Sequence, residues 1–343
     1  MHCRRSSRFN TSRPQQGAAL IVAMLVFALA AALVVAMKSE FNRFFERTAN
    51  ILLAEQAQAY LRGAEDLAAM ALIRDYDKDK QAGLARDDLT EEWATPPPPF
   101  GLDGIGWMRG ELEDLQGRFN LNALAERVPS GGQVKKARFT AAQEQFIRLL
   151  QALGDVSPSE QEAIAITESI SDWLDADSDL SQAGAEENYY YGLTPAYRTA
   201  NREMASVSEL RAVANITPEI YAALLPWVTV LPDATTKLNI HTAPPTVLRS
   251  INTDGDLSPL SEADAESLEG VVFEDKNDFL ANPVFEGKRE KMDAIKGRLG
   301  QETAYFLLRA ELEVADRNMR LYSVLHRHNR SVEAVARGPV NDL

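Results

Sequence analysis

The stretch GAALIVAMLVFALAAALVVAM, Gly17–Met37, decides how the rest of the chain is read. Its last twenty residues, Ala18–Met37, contain no polar or charged side chain. At 1.5 Å per residue, a helix over them is roughly 30 Å long, the thickness of a bilayer's hydrocarbon core. Arg4, Arg5, Arg8 and Arg13 precede the run with no acidic residue among them, and Lys38, Glu40 and Arg43 follow it. Positive charge on the leader keeps that end cytoplasmic and sends the remaining chain outward. A secretory signal instead has a shorter apolar core followed by a small-residue cleavage site. Here the small residues Gly17 and Ala18 lie before the core. Two readings stand: an uncleaved signal anchor, or a cut between Gly17 and Ala18 that leaves the helix on the mature protein.

The helix is expected to continue past the membrane. Lys38–Arg74 has no proline and only Gly63, and Phe41, Phe45, Thr48, Leu52, Ala59 and Leu67 approximate one face. A helix over 18–74 extends about 85 Å and would project a globular head. A coiled coil is the competing reading, but strict heptads are not maintained. Asp75–Asp79 and Thr95–Gly101, with Pro96–Pro99, are expected to be loops.

Charge and length narrow the function classes. The 343 residues include 36 Lys and Arg against 50 Asp and Glu, a net charge of -14, which argues against a uniformly basic nucleic-acid surface. The length beyond the membrane run suffices for a sizeable core and more than one structural unit. Cys3, the one cysteine, lies in the leader, so a chain cut after Gly17 has no internal disulfide.

The middle of the chain reads as helical, with helices within Thr140–Leu153, Pro158–Leu174, Ser206–Val213 and Glu219–Leu225. Ser206–Val213 with Asn215–Ile220 resembles a helix-hairpin-helix unit, read as structural because its glycine-rich hairpin is missing. Towards the carboxy terminus the period changes to two: Tyr305, Leu307, Arg309, Glu311 and Glu313 alternate with Phe306, Leu308, Ala310, Leu312 and Val314. A turn at Asp316–Asn318, a strand over Met319–His326 and a short strand over Ser331–Ala336 follow. The expected class is α+β: a long N-terminal transmembrane and amphipathic helix packed on a small antiparallel sheet, interrupted by a large, mainly helical insertion.

Asp175, Asp177 and Asp179 are candidate ligands for a hard cation, because alternating carboxylates on a loop can turn towards one ion. Glu186 stands eleven residues after Asp175, as the closing glutamate of an EF-hand does, but Leu180 holds the position that needs glycine. Asp172 and Glu187 are further candidates. From charge alone, a calcium site and a solvated acidic loop both remain open. Asp254, Asp256, Glu262, Asp264 and Glu266 form a weaker group with no comparable closing pattern. Catalytic signatures are absent: there is no Walker sequence, no Gly-x-Ser-x-Gly elbow and no His-Glu-x-x-His. Gly101–Gly106 is not a dinucleotide fingerprint, and His326 and His328 lack a third metal ligand. A membrane-anchored enzyme using acidic residues is therefore the weakest reading.

Several segments in order resemble the K-type minor pseudopilins of type II secretion systems. Gly17-Ala18 before the apolar run resembles a prepilin leader, cut by a dedicated peptidase that methylates the new amino terminus, here Ala18. Most pilin-like chains carry glutamate at the fifth mature position, whereas this one has Val22. K-type members characteristically lack that glutamate and are assigned to the filament tip. Gly110–Leu124, Asp172–Asp177, Gly184–Tyr190, Lys237–Pro244 and Tyr305–Leu325 also match the family, with His241 where asparagine is expected. The resemblance implies a cleaved leader at 1–17, a transmembrane segment at 18–37, and extended helix with the first part of the core at 38–120. It further implies a helical insertion at 121–265 and a returning core at 266–343. It favours structural calcium in the insertion, held by Asp172, Asp175, Asp177, Asp179, Glu186 and Glu187, with Asp254, Asp256 and Asp264 weaker. The implied partners are I-type and J-type minor pseudopilins, indirectly H-type and major pseudopilins, the prepilin peptidase, the inner-membrane platform and secreted cargo, with no nucleic acid. The implied location is the inner membrane, with the large carboxy-terminal region in the periplasm. The alternative is a membrane-anchored, calcium-dependent binding or adhesion module.

Overall fold

A computed structural model of the chain describes residues 16–102, 106–127, 138–315 and 317–338. The leader arginines, Cys3 and Asp316 lie outside the described residues. The chain divides into two compact units, 1–58 and 59–343.

The first unit is helical. Helix α1, Gln16–Ala82, begins here and carries the apolar run with Leu20, Phe27, Leu33 and Met37 exposed. It is long and apolar enough to cross a membrane. Every backbone group in its interior is bonded within the helix, as a lipid environment requires.

In the second unit the later turns of α1 bury Leu61, Ala64, Ala68 and Leu72, a stripe at helical spacing. The face expected from sequence is not the one packed on the head: Phe41, Phe45, Leu52 and Leu67 are all exposed. The buried stripe uses two alanines, whose small side chains permit close packing but give a weak periodic signal. The helix also runs through Asp75–Asp79 to Ala82, where a loop was expected. Buried contacts of Asp75 outweigh the low helix propensity of aspartate.

The rest of the second unit contains, in chain order, β1 (Phe100–Leu102), β2 (Gly106–Asp114), β3 (Phe119–Asn120), α2 (Ala141–Leu150), α3 (Glu160–Leu174), α4 (Glu187–Tyr191), β4 (Val228–Thr229), β5 (Leu238–Asn239), β6 (Leu299–Gly300), β7 (Tyr305–Val314), β8 (Arg317–His328) and β9 (Ser331–Gly338), with further short helices and 3₁₀ turns. Five strands form one antiparallel sheet in the order β1-β2-β7-β8-β9. Its registers set Arg109 opposite Glu311, Glu111 opposite Arg309 and Glu311 opposite Arg320, favourable cross-strand charge pairs. On β7 the residues Phe306, Leu308, Ala310, Leu312 and Val314 are buried, as the alternation predicts. Tyr305 and Leu307 are buried as well, because the opposite face of β7 meets Leu115, Leu231 and Val324 in a second cluster. Arg317 and Asn318, expected in the turn, belong to β8.

The helical region has its own core, running from Phe119 through Phe146, Ile170, Trp173, Tyr190 and Leu248 to Phe279, Phe285 and Leu299. The expected boundary at 265 thus falls inside a continuous core, because the segments after it are too short to show a period. Helices α2 and α3 start on capping boxes, Thr140 with Gln143 and Ser159 with Glu162. Val207–Ala212 is a 3₁₀ turn, whereas Pro218–Leu224 is an α-helix capped by Thr217.

Candidate functional site

Gly17, Ala18 and Val22 lie on α1 and are exposed. No carboxylate stands at the fifth residue after Gly17.

The acidic loop is built on the end of α3. Its last turn carries the fully buried Asp172, and Asp175 is the residue that caps it. Ser181 donates to Asp172 through its hydroxyl, at 2.6 Å, and its amide, at 3.2 Å. A Cβ on Gly184 would overlap Asp172 Oδ2, so only glycine permits this approach. Arg127 converges on the same carboxylates: its Nη2 pairs with Asp175 and lies 3.5 Å from Asp177 Oδ1 and 3.8 Å from Asp172 Oδ1. Glu186, also buried, accepts a hydrogen bond from the amide of Glu187 on one oxygen, at 3.1 Å.

Two oxygens of this group, Asp175 Oδ1 and Glu186 Oε1, are buried without a hydrogen-bond partner. Burial raises the carboxyls of Asp172, Asp175 and Glu186 above the usual range. Their mutual repulsion adds to this, against the bonds from Ser181, Arg127 and the Glu187 amide. Hard oxygens, several already oriented and two unsatisfied, fit calcium; a soft metal would call for sulfur or imidazole. Asp172, Asp175 and Asp177 thus converge on Arg127, while Glu186 is buried at the far end of the same loop. Asp179 is exposed and sends only its amide to Asp177 Oδ1, at 2.8 Å, while Glu187 lies 3.6 Å from Arg198.

The weaker group is dispersed. The carboxylate of Asp254 takes the amides of Ala294 and Ile295 at 2.9 and 3.1 Å, which caps the helix Asp293–Arg298. Asp256 takes the Ser258 amide at 2.9 Å, and Asp264 lies in the first turn of another short helix. The fully buried Arg148 crosses beneath this loop, donating to the carbonyls of Ser250, Thr253 and Asp256. The guanidinium already supplies the positive charge there.

A second acidic convergence was not expected from sequence. Among the described residues, Asp75, Asp79, Asp87 and Glu91 bring one oxygen each within 4.8 Å of one another. Arg327 on β8 enters this group, pairing with Asp87 and lying 3.2 Å from Asp75 Oδ2. Burial pushes the Asp75 carboxyl up to about 6 and the Glu91 carboxyl up to about 7. Asp79 and Asp87 are raised by the same cause. Nothing in the spacing of four acids over seventeen residues marks them, since a helix end and a loop bring them together. Beside them, Asn239 Nδ2 donates to the carbonyl of Asp87, Asp114 Oδ2 and Thr303 Oγ1 at 2.9 to 3.0 Å. Gly117 packs against Thr242, whose carbonyl oxygen would stand 2.7 Å from an added Cβ. The Lys237–Pro244 segment thus joins the helical core to the sheet. His326 stacks on Tyr305, with ring centroids 4.6 Å apart, and His328 is exposed.

The family model for the type II secretion system protein K matches residues 117–233, which include the acidic loop. Type II secretion system protein K of Pseudomonas aeruginosa is 35% identical over 320 residues, covering 92% of this chain and 90% of the relative. That of Aeromonas hydrophila is 31% identical over 335 residues, covering 92% and 94%. A chain of the crystal structure of the GspK-GspI-GspJ complex from enterotoxigenic Escherichia coli superposes with a TM-score of 0.73 at 26% identity, over 85% of this chain and 98% of that one. With a relative above 30% identity aligned along nearly all of both sequences, and with a helix long and apolar enough to anchor it in a membrane, this chain belongs to the type II secretion system protein K family.

Proposed function

We propose that the chain is the minor pseudopilin that caps a type II secretion pseudopilus, assembling with I-type and J-type partners and helping to start the filament that exports folded periplasmic proteins. The observation that carries this is the likeness, over 98% of the neighbour's length, to a chain from a complex of GspK, GspI and GspJ. Cleavage after Gly17 and methylation of Ala18 by the prepilin peptidase leave α1 in the inner membrane, with the second unit in the periplasm. Phe41, Phe45, Leu52 and Leu67, all exposed on α1, are available to the helices of partner subunits. Val22 spares the subunit a carboxylate in lipid that would need a partner amine below it, which suits the first subunit of a filament. H-type and major pseudopilins join below, the inner-membrane platform supplies movement, and cargo meets the exposed head. The role is assembly and force transmission without covalent chemistry. Calcium is structural, held by Asp172, Asp175, Asp177 and Glu186, where it gathers repelling carboxylates and fixes the loop after α3.

The test is capture of the tagged chain from intact envelopes, together with a secretion assay on Gly17→Ala. Co-capture of I-type and J-type pseudopilins with impaired export is expected. Capture without them, with normal export in the variant, would refute the proposal.

A further inference from the structure

We propose that Arg127 is a built-in counterion of the acidic loop that calcium displaces, so that this one side chain sets how tightly the loop takes its metal. The inference rests on the calcium reading above. Nη2 of Arg127 meets three carboxylates, those of Asp172, Asp175 and Asp177, where a bound cation would find its ligands. A guanidinium serves such a site incompletely. It carries one positive charge, and its N–H groups point in fixed directions. Asp175 Oδ1 and Glu186 Oε1 stay buried without a hydrogen-bond partner beside it. Calcium carries twice the charge and accepts six to eight oxygens in adaptable geometry, so it takes up the oxygens that the guanidinium leaves.

The two cations are anchored differently. Asp172 and Asp175 are buried, and α3 and its cap hold them in place. The Arg127 side chain is 39% exposed and reaches in from the solvent side, so it can swing out without opening the core. Cations at one carboxylate cluster repel each other, so the arrangement that favours the metal is the one with Arg127 withdrawn. Arg127 therefore stabilises the calcium-free chain and weakens calcium binding by the same interaction.

The experiment compares the full-length chain in detergent with Arg127→Gln and Arg127→Lys, by calcium titration calorimetry and by thermal unfolding in EDTA and in calcium. Arg127→Gln is expected to bind calcium about fivefold more tightly, the size of a partly exposed ion pair. It should unfold at a lower temperature in EDTA and at the wild-type temperature in calcium, which widens the calcium-dependent shift. Arg127→Lys, which keeps the charge, should fall between the two. Unchanged or weaker calcium binding by Arg127→Gln, or an equal loss of stability in both buffers, overturns the proposal while leaving calcium in place. Absence of any calcium response in the wild-type chain overturns the calcium reading and this inference together.

Discussion

Arg327 on β8 and Asp75 on α1 form a buried ion pair, with Nη1 3.2 Å from Oδ2, that ties the sheet to the helix. The other terminal nitrogen, Nη2, pairs with Asp87 and donates to the carbonyl of Thr303 at 2.9 Å. One side chain thus links α1, the loop after it and the segment entering β7. Arg327→Met removes the cation and leaves several buried carboxylates facing one another. A loss of about 3–5 kcal/mol is expected, as when one partner of a buried pair is deleted. Arg327→Lys should recover only part of it, because an ammonium cannot reproduce the planar fork. Denaturant unfolding of the two variants checks the order, and equal stability of wild type and Arg327→Met would contradict it.

The same cluster gives the chain an acid-favouring stability profile. Asp75 is raised to about 6 and Glu91 to about 7, while their unfolded counterparts titrate near 4. Between about pH 4 and pH 7 these two groups hold more protons in the folded chain than in the unfolded one, which raises stability as pH falls and outweighs the buried His241, held below the usual imidazole range by burial. Glu65 and Asp88 shift the other way: the bond from Arg337 lowers Glu65, and the Thr90 and Arg86 bonds outweigh burial at Asp88. Their contribution is present at neutral pH and is lost below about pH 4. Unfolding temperature measured in EDTA should therefore climb from pH 8 to pH 5, and Asp75→Asn should flatten the climb. A temperature that falls over this range would refute the assignment.

Gly184 gives a test of the acidic loop that leaves every carboxylate in the sequence. Any Cβ there overlaps Asp172 Oδ2, and the carbonyl oxygen of Glu168 would stand 3.1 Å away. Gly184→Ala is expected to push Asp172 aside at a cost of about 1–3 kcal/mol, the usual range for overpacking. It should also shrink the calcium-dependent rise in unfolding temperature. A rise equal to that of wild type would mean that Asp172 does not belong to the metal set.

Glu65 lies in the stripe that α1 buries, and it accepts bonds from Ser323 and from two nitrogens of Arg337, each of these at 2.8 Å. Glu65→Leu makes the stripe fully apolar but leaves the buried Ser323 hydroxyl without this acceptor. A destabilisation of about 1–3 kcal/mol is expected, the cost of an unsatisfied buried polar group. Chemical denaturation of the variant measures it, and a gain in stability would show that apolar packing outweighs the network.

The parts of the fold that could be read from sequence are those with long, regular periods. The apolar run of α1 and the two-residue alternation of β7 and β8 needed no tertiary information, because each pattern repeats over several turns or pairs. The strand Gly106–Asp114 was harder to read, since Gly110 and the acids Glu111, Glu113 and Asp114 mask its alternation until Leu112 meets Leu308 across β7. At the acidic loop, spacing pointed to Asp175, Asp177 and Glu186 as candidates but not to Arg127, which lies 48 residues before Asp175. The junction around Asp87, Asp114 and Asn239 draws on three distant segments. Its only trace in the sequence was the Lys237–Pro244 motif, whose contacts become intelligible once the sheet and the helical core are in place.

The central claim is that a prepilin-type cut frees α1 to enter a pseudopilus, and the mature amino terminus measures it directly. Mass spectrometry of the chain purified from envelopes should find N-methylated Ala18 as the first residue. A chain that still begins at Met1 or at any other residue of the leader, isolated from cells with an active prepilin peptidase, would contradict the account.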